Sequence, residues 1–309
     1  MIDLVFLGTG SAVPLSHRNL SGTALLRKGE IFLFDCGEGT QMQFRRAGLK
    51  PSKLRYIFIS HFHGDHLFGL PGLLTSLQMA NLRQDVHLFG PKGIAEYIRF
   101  HQALCSFGFD YTLRIHEIDE HTPPTIWQTP EYHIEWQPLQ HRIFTLGFAL
   151  IEGPRPGKFD AQRADGLGVP NGPERGKLQS GESIVLANGA QIHPQQVLGP
   201  PRAGLKIAYC IDTSPCTGQE QLARNADVLI ADSTFPSSEQ KWAHQTGHST
   251  TTDAAEVAKR CNVQQLFLTH FSGTIGPTDL PALAEEARAI FPNTIAATDL
   301  ARFKILPKL

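Results

Sequence analysis

His61-Phe62-His63-Gly64-Asp65-His66 places three of the chain's fourteen histidines and one aspartate in six residues, directly behind the apolar run Tyr56-Ile57-Phe58-Ile59. The run reads as a buried strand. Alternation at its end aims His61 and His63 the same way. Gly64 permits a tight turn, and Asp65 and His66 follow at the start of a helix. Neutral imidazoles and a carboxylate suit borderline divalent metals, zinc first, with Mn or Fe as alternatives. Four ligands in six residues exceed what one ion with an open position needs, so the stretch predicts two ions about 3.5–4 Å apart. The bland alternative is a set of buried histidines bonded to backbone. So many polar groups in one turn argue against it, because each unpaired one is costly in a core.

A dinuclear site needs ligands from elsewhere. The candidates are His141, which follows an apolar strand, Asp212, which ends one, and His270, which ends another. Gln140-His141 has no motif around it, so a structural histidine reads equally well there. A short internal similarity supports the others. Ile57-Phe58-Ile59-Ser60-His61-Phe62 resembles Leu266-Phe267-Leu268-Thr269-His270-Phe271, and FDCG (34–37) and CIDT (210–213) each close an apolar strand with an aspartate. The pattern predicts two related halves, 1–152 and 200–309, whose strand ends converge.

Strands are expected at 4–8, 31–37, 56–60, 85–90, 145–152, 206–212, 227–233 and 265–270. Helical patterns run from Gly93 to Leu104, from Thr251 to Cys261 behind the caps Ser249 and Thr250, and from Thr278-Asp279 to Ile290 with Pro281 in the first turn. Strands alternating with helices, plus hairpin pairs, give an α/β sandwich with helices outside. Residues 153–181 break the pattern. Glycine and proline dominate there, so neither helix nor central strand fits well, and a loop this long in a compact protein is usually functional or disordered, a flexible surface loop being the plain reading. Its Arg155, Lys158, Arg163, Arg175 and Lys177 are either phosphate contacts or solvating charges.

Composition sets few limits. The 309 residues are 41% hydrophobic and 18% charged, and a net charge of −1 means that any basic surface must be local. The start, MIDLVFLGTG, reads as a strand and turn rather than a signal peptide, and no run carries the ~20 apolar residues of a membrane span. Five cysteines with no CxxC spacing suit a reducing, cytoplasmic setting. GTGSAV (8–13) lacks the third glycine of a dinucleotide loop and no helix follows, so it reads as a turn at the rim of the site.

The HxHxDH pattern of 61–66 resembles the metallo-β-lactamase fold superfamily, a four-layer αβ/βα sandwich. FLGTGSAVP (6–14), FLFDCGEGTQ (32–41), ISHFHGDHLFGLPGLL (59–74), IDT (211–213), GHST (247–250) and LTHFS (268–272) narrow the resemblance to the ribonuclease Z family. Phe159 to Gly181 follow that family's arm signature, FDxxxAxxLGVPxGPxxGKLxxG, so 153–181 resembles its tRNA-gripping arm. The resemblance spans the chain. It implies a homodimer whose arm presents precursor tRNA to the partner's site. It further implies that His61, His63 and His141 hold one metal, that Asp65, His66 and His270 hold the other, and that Asp212 bridges. Asp35 would orient ligands through hydrogen bonds, Asp65 would orient and deprotonate the attacking water, and His248 would protonate the leaving 3′-oxygen. The 3′ trailer would leave with a 5′-phosphate and the tRNA with a 3′-hydroxyl. GHST before a helix also suits a plain cap neighbour.

One departure stands out. The family's PxKxRN loop reads here Pro14-Leu15-Ser16-His17-Arg18-Asn19. Arg18 and Asn19 match, and Arg18 would contact RNA, but Ser16 replaces the lysine, which bears on how CCA-ending tRNA is rejected and where cleavage falls. Two other readings compete: a small-molecule metallohydrolase in the same site, and a non-catalytic binding module on the same fold. The arm argues against the first and the full ligand set against the second.

Overall fold

The metal motif sits where it does because strands of two sheets end at one place. The computed structural model describes residues 1–307. In chain order its strands are β1 (Ile2–Gly8), β2 (Gly22–Arg27), β3 (Glu30–Phe34), β4 (Leu54–Phe58), β5 (Val86–Pro91), β6 (Leu113–Ile118), β7 (Thr125–Gln128) and β8 (Tyr132–Leu139). They continue with β9 (Thr145–Glu152), β10 (Ile184–Val185), β11 (Gln191–Ile192), β12 (Lys206–Cys210), β13 (Val228–Asp232), β14 (Gln265–Thr269), β15 (Thr294–Ala296) and β16 (Arg302–Ile305). The helices are α1 (Thr40–Arg46), α2 (Gly64–Leu67), α3 (Leu70–Met79), α4 (Ile94–Cys105), α5 (Ala161–Gly166), α6 (Pro173–Gln179), α7 (Thr217–Ala223), α8 (Gln240–Thr246), α9 (Thr251–Arg260) and α10 (Leu280–Arg288).

Among the described residues the strands form two seven-stranded sheets, ordered β16-β1-β2-β3-β4-β5-β6 and β15-β14-β13-β12-β9-β8-β7, and a small β10-β11 ribbon. In the first sheet β3 to β6 are parallel, and in the second β12 to β15 are. The inner faces meet through aromatic rings. Phe34 lies 4.8 Å from Phe58 and 5.2 Å from Tyr209, and Phe58 lies 5.2 Å from Phe148, centroid to centroid. Leu70, Leu73, Leu74 and Leu77 of α3 and Ile94 and Ile98 of α4 pack with Leu33, Ile57 and Leu88 on the outer face of the first sheet. Helices α7, α9 and α10 cover β12 to β15. This is the helix–sheet–sheet–helix sandwich that the alternating pattern implies.

Parallel strands buried on both faces read as continuous apolar runs. That is why β4, β12, β13 and β14 were legible. Their carboxyl ends all point to the same edge, so polar residues just past them converge. The four segments matched by internal similarity do end there, on β3, β4, β12 and β14. Asp35, Asp212 and His270, each just past a strand, share the left-handed backbone region, with φ of 57°, 54° and 65°. Non-glycine residues adopt it rarely, and such strain gathers at functional sites.

The chain divides into two compact units. One comprises Met1–Gln128, Ile134–Leu150 and Lys206–Leu309, and the other Thr129–His133 and Ile151–Leu205. The second differs from the loop expected over 153–181. It contains α5, α6 and the β10-β11 ribbon around Ala164, Val169, Leu178, Ile184, Ile192 and Val197. The proline and glycines punctuate helices here rather than exclude them. Asp160 caps α5 by accepting from the Arg163 backbone N–H at 2.9 Å, Pro173 opens α6, and Gly168, Gly172 and Gly181 take positive φ between elements. Cys36, Cys210 and Cys261 are buried, but Cys105 is exposed. Among the described residues no helix is long and apolar enough to cross a membrane.

Candidate metal centre

Past Phe58 the chain stays buried through Ile59 and Ser60 and is pinned from beneath. Asp35 accepts from the Ser60 N–H at 2.7 Å, the Ser60 hydroxyl at 2.9 Å and the Tyr209 hydroxyl at 2.8 Å. Its Oδ2 also lies 2.8 Å from His66 Nδ1. The Asp35 carboxylate therefore fixes which His66 nitrogen carries the proton and turns Nε2 toward the cluster. His141 is set the same way, its Nδ1–H donating to the Gly247 carbonyl at 2.7 Å. Gly247 ends α8 at φ 78°, and a Cβ there would lie 2.8 Å from His141 Nδ1, so the position requires glycine. Thr234 completes the pattern. Its hydroxyl donates to Asp232 Oδ1 at 2.7 Å and lies 2.9 Å from His270 Nδ1.

The structure brings the expected residues together in two groups, with Asp212 a member of the first and within reach of the second; Asp212 and His270 also fall in a third group, with Asp232 and His248. Ligand atoms of His61, His63, His141 and Asp212 lie within 4.8 Å of one another, as do those of Asp65, His66 and His270. Asp212 Oδ2 is 3.3 Å from His61 Nε2 and 3.6 Å from His141 Nε2, while Oδ1 is 2.8 Å from His270 Nε2 and 3.3 Å from His66 Nε2. Despite the 2.8 Å approach, Oδ1 has no aligned hydrogen-bond donor and is a buried polar atom without a partner. A carboxylate oxygen left so, amid imidazole nitrogens turned inward by their own partners, fits a divalent cation.

The electrostatics agree. Burial opposes charge on His270, but Asp212 outweighs it and pushes the ring up to about 10. Burial likewise opposes charge on His66, and Asp212, Asp35 and Asp65 together hold it well above its ordinary value. On the other side, burial drops His141 to about 4 and lowers His61 and His63, so these three imidazoles favour the neutral form, the form that can take a cation. Asp212, although buried, is held well below the usual carboxylate range by His270, His66 and His61. The site demands buried positive charge beside carboxylates and offers unprotonated imidazoles next to it.

His248 stands at the edge. Its Nδ1 lies 2.9 Å from Asp232 Oδ2, its ring is 5.5 Å from that of His270, and it lines a cavity of about 880 Å³ with His63, Asp65, Asp212 and His270. Sequence reasoning missed Asp232. The signal was present, since DVLIADS closes an apolar strand with an aspartate as IFLFDCG and KIAYCID do. It also missed Arg142, the one Lys or Arg among the described residues lining the cavity. The 8–13 turn lies at the rim, and its Ala12 N–H donates to Asp65 Oδ2 at 2.7 Å.

Arg18 departs from expectation. It is 3% exposed, donates to the Ile275 carbonyl at 2.9 Å and lies over the Phe271 ring, so it braces the fold and faces no RNA. Ser16 of the same loop is exposed. In the second unit, Lys158, Arg163 and Lys177 are exposed. Arg175 is committed internally, to the Val169 carbonyl at 2.8 Å and to Asp165, and Arg155 donates to the Ala203 carbonyl at 3.0 Å.

Sandwich and cluster together define a metallo-β-lactamase-fold protein. Residues 189–271 match the family model described as beta-lactamase superfamily domain, and residues 2–141 match the one described as Anti-Pycsar protein Apyc1. Full-length likeness narrows this. A Ribonuclease Z of Microcystis aeruginosa is 44% identical over 98% of this chain and 96% of its own, and one of Salinibacter ruber is 41% identical over 99% and 95%. The crystal structure of the short form of human tRNase Z aligns with a TM-score of 0.72 at 26% identity, covering 98% of this chain and 99% of that one. The chain belongs to the ribonuclease Z family.

Proposed function

We propose that the chain is a metal-dependent endoribonuclease that hydrolyses precursor tRNA near the discriminator nucleotide, removing the 3′ trailer and leaving a tRNA 3′-hydroxyl and a trailer 5′-phosphate. The observation that carries it is the unpartnered Asp212 oxygen between two imidazole clusters, in a chain of this family. His61, His63 and His141 would hold one divalent ion, Asp65, His66 and His270 a second, and Asp212 both. Zinc suits this nitrogen-rich set best, with Mn or Fe as alternatives. Bound there, such ions neutralise phosphodiester charge and make water a nucleophile near neutral pH.

The chain's own residues do the rest. Asp65, aimed by the Ala12 N–H, orients the attacking water and accepts its proton. Asp232 holds His248 Nδ1, which leaves Nε2 to deliver a proton to the departing 3′-oxygen. Without that proton the oxygen leaves as a poor alkoxide. Arg142 offers the incoming backbone a guanidinium at the cavity wall. Asp35 stays beneath the site and orients His66. The protein would act in the cytoplasm as a homodimer, with the second unit as the tRNA-binding arm of each subunit and Lys158, Arg163 and Lys177 as its exposed cations.

A small-molecule hydrolase would need the sandwich and cluster but not the second unit. The structure makes a clean excision feasible. The Glu152 N–H donates to the Leu205 carbonyl at 2.8 Å, so the unit's ends are adjacent and a short glycine linker can replace 154–203. Cutting only 153–181 would sever the small core of this unit. The excised protein is expected to keep its bound metal and its hydrolysis of bis(p-nitrophenyl) phosphate. Its kcat/KM on precursor tRNA is expected to fall roughly 10²-fold or more, as loss of several phosphate contacts implies. Undiminished tRNA cleavage after excision would rule the unit out as the RNA grip.

A further inference from the structure

Resting on that reading of the site, we propose that Phe68 and Trp242 are the binding surfaces on which the two bases flanking the scissile phosphate stack, Trp242 taking the last tRNA nucleotide and Phe68 the first trailer nucleotide. Both side chains line the metal cavity, and both are exposed, Phe68 at 65% and Trp242 at 55%. Large aromatic rings left open in a catalytic cavity are unusual in a soluble domain, and they mark places where a ligand supplies the missing contact.

The Phe68 ring is seated, and the helix that carries Trp242 is anchored. Phe68 follows the last ligand of the HFHGDH stretch by two residues. Its ring lies on Gly64, where a Cβ would come within 2.4 Å of Phe68 Cε2, so Gly64 is the seat that lets the ring settle beside His63 and Asp65. Trp242 stands on α8. Asp253 anchors that helix, accepting from Gln240 Nε2 at 2.9 Å and lying 2.9 Å from His244 Nε2. The same helix ends at Gly247, which orients His141 and leads into His248. Trp242 thus belongs to the His248 side of the cavity and Phe68 to the Asp65 side.

The chemistry assigns the two nucleotides. Hydrolysis that leaves a 3′-hydroxyl on the tRNA makes that nucleotide's 3′-oxygen the leaving group, so the last tRNA nucleotide lies by His248 and its base is within the domain of Trp242. The phosphate stays with the trailer, whose 5′-oxygen is equatorial between the attacking water and the leaving oxygen, so its first nucleotide departs to the side and Phe68 is the other exposed aromatic ring of the cavity that can receive it. A strand reaching this cavity is unpaired and has lost its helical stacking. Aromatic faces restore that stacking without reading sequence, since every base has a π-face.

The test is a cycle between protein variants and single abasic substitutions in a precursor tRNA. Trp242→Ala is expected to lower kcat/KM roughly 5- to 100-fold on the unmodified substrate, the span of one base stack, and to cost nothing further when the last tRNA nucleotide is abasic. Trp242→Phe should recover most of the loss. Phe68→Leu should behave likewise, but only toward an abasic first trailer nucleotide. The unsubstituted protein should itself lose a similar factor on each abasic substrate. Losses that simply multiply between variant and abasic site, or an unsubstituted protein indifferent to missing bases, would overturn the proposal. Failure of the endonuclease reading is distinct from both, because the unsubstituted protein would then leave intact precursor uncut.

Discussion

Replacing Asp212 is expected to cost the most of any single change, on the order of 10³-fold or more in turnover together with loss of bound metal, because a dinuclear site then loses the ligand its halves share. Its two oxygens approach His61 and His141 on one side and His66 and His270 on the other. Asp212→Asn is the informative variant. Asparagine tolerates the left-handed φ of 54° that the position requires, so the backbone is spared while the charge is removed. Metal stoichiometry measured by plasma emission, beside the cleavage rate, separates the causes. Near-normal metal content and rate in Asp212→Asn would remove Asp212 from the centre.

His248→Ala is expected to act differently, leaving metal content intact and lowering kcat on precursor tRNA by roughly 10²- to 10⁴-fold, the usual contribution of a positioned general acid. The leaving group decides the size of the effect. An alkoxide needs the proton, and a p-nitrophenolate does not. The same variant should therefore lose less than about tenfold on bis(p-nitrophenyl) phosphate. Asp232→Asn should reproduce part of this pattern, since Asp232 Oδ2 is what fixes His248 Nδ1. Equal losses on both substrates would make His248 a structural neighbour of the α9 cap, the alternative that GHST alone permits.

What could be read from the sequence follows from where the chemistry sits. His61, His63, Asp65 and His66 crowd one turn, and Asp212 and His270 close apolar strands whose ends must meet in a parallel sheet. His141 had no such signal. Its partner Gly247 lies 106 residues away, and only the family resemblance singled it out. Asp232 carries the same strand-end signature as Asp35 and Asp212, but its role shows only in the fold, where its Oδ2 meets His248 Nδ1. Arg18 shows the opposite failure. Charge says nothing of burial, and its acceptor Ile275 is 257 residues distant. Strands β6 and β8, near the edge of their sheets, largely alternate polar and apolar residues, and β7 is only four residues long, so none has the continuous apolar run that exposes β4 and β14. The number of glycines and prolines in 153–181 suggests a loop, but their positions, Pro173 opening α6 and Gly168, Gly172 and Gly181 between elements, allow helices.

The most direct measurement is incubation of the purified protein with an end-labelled precursor tRNA carrying a 3′ trailer, with and without chelator, and mapping of both product ends. The account predicts chelator-sensitive cleavage near the discriminator nucleotide, a 3′-hydroxyl on the tRNA and a 5′-phosphate on the trailer. The mapped position also reports what Ser16 changes. An uncut precursor, from protein that holds its metal and turns over bis(p-nitrophenyl) phosphate, would contradict it and leave a small-molecule hydrolase in its place.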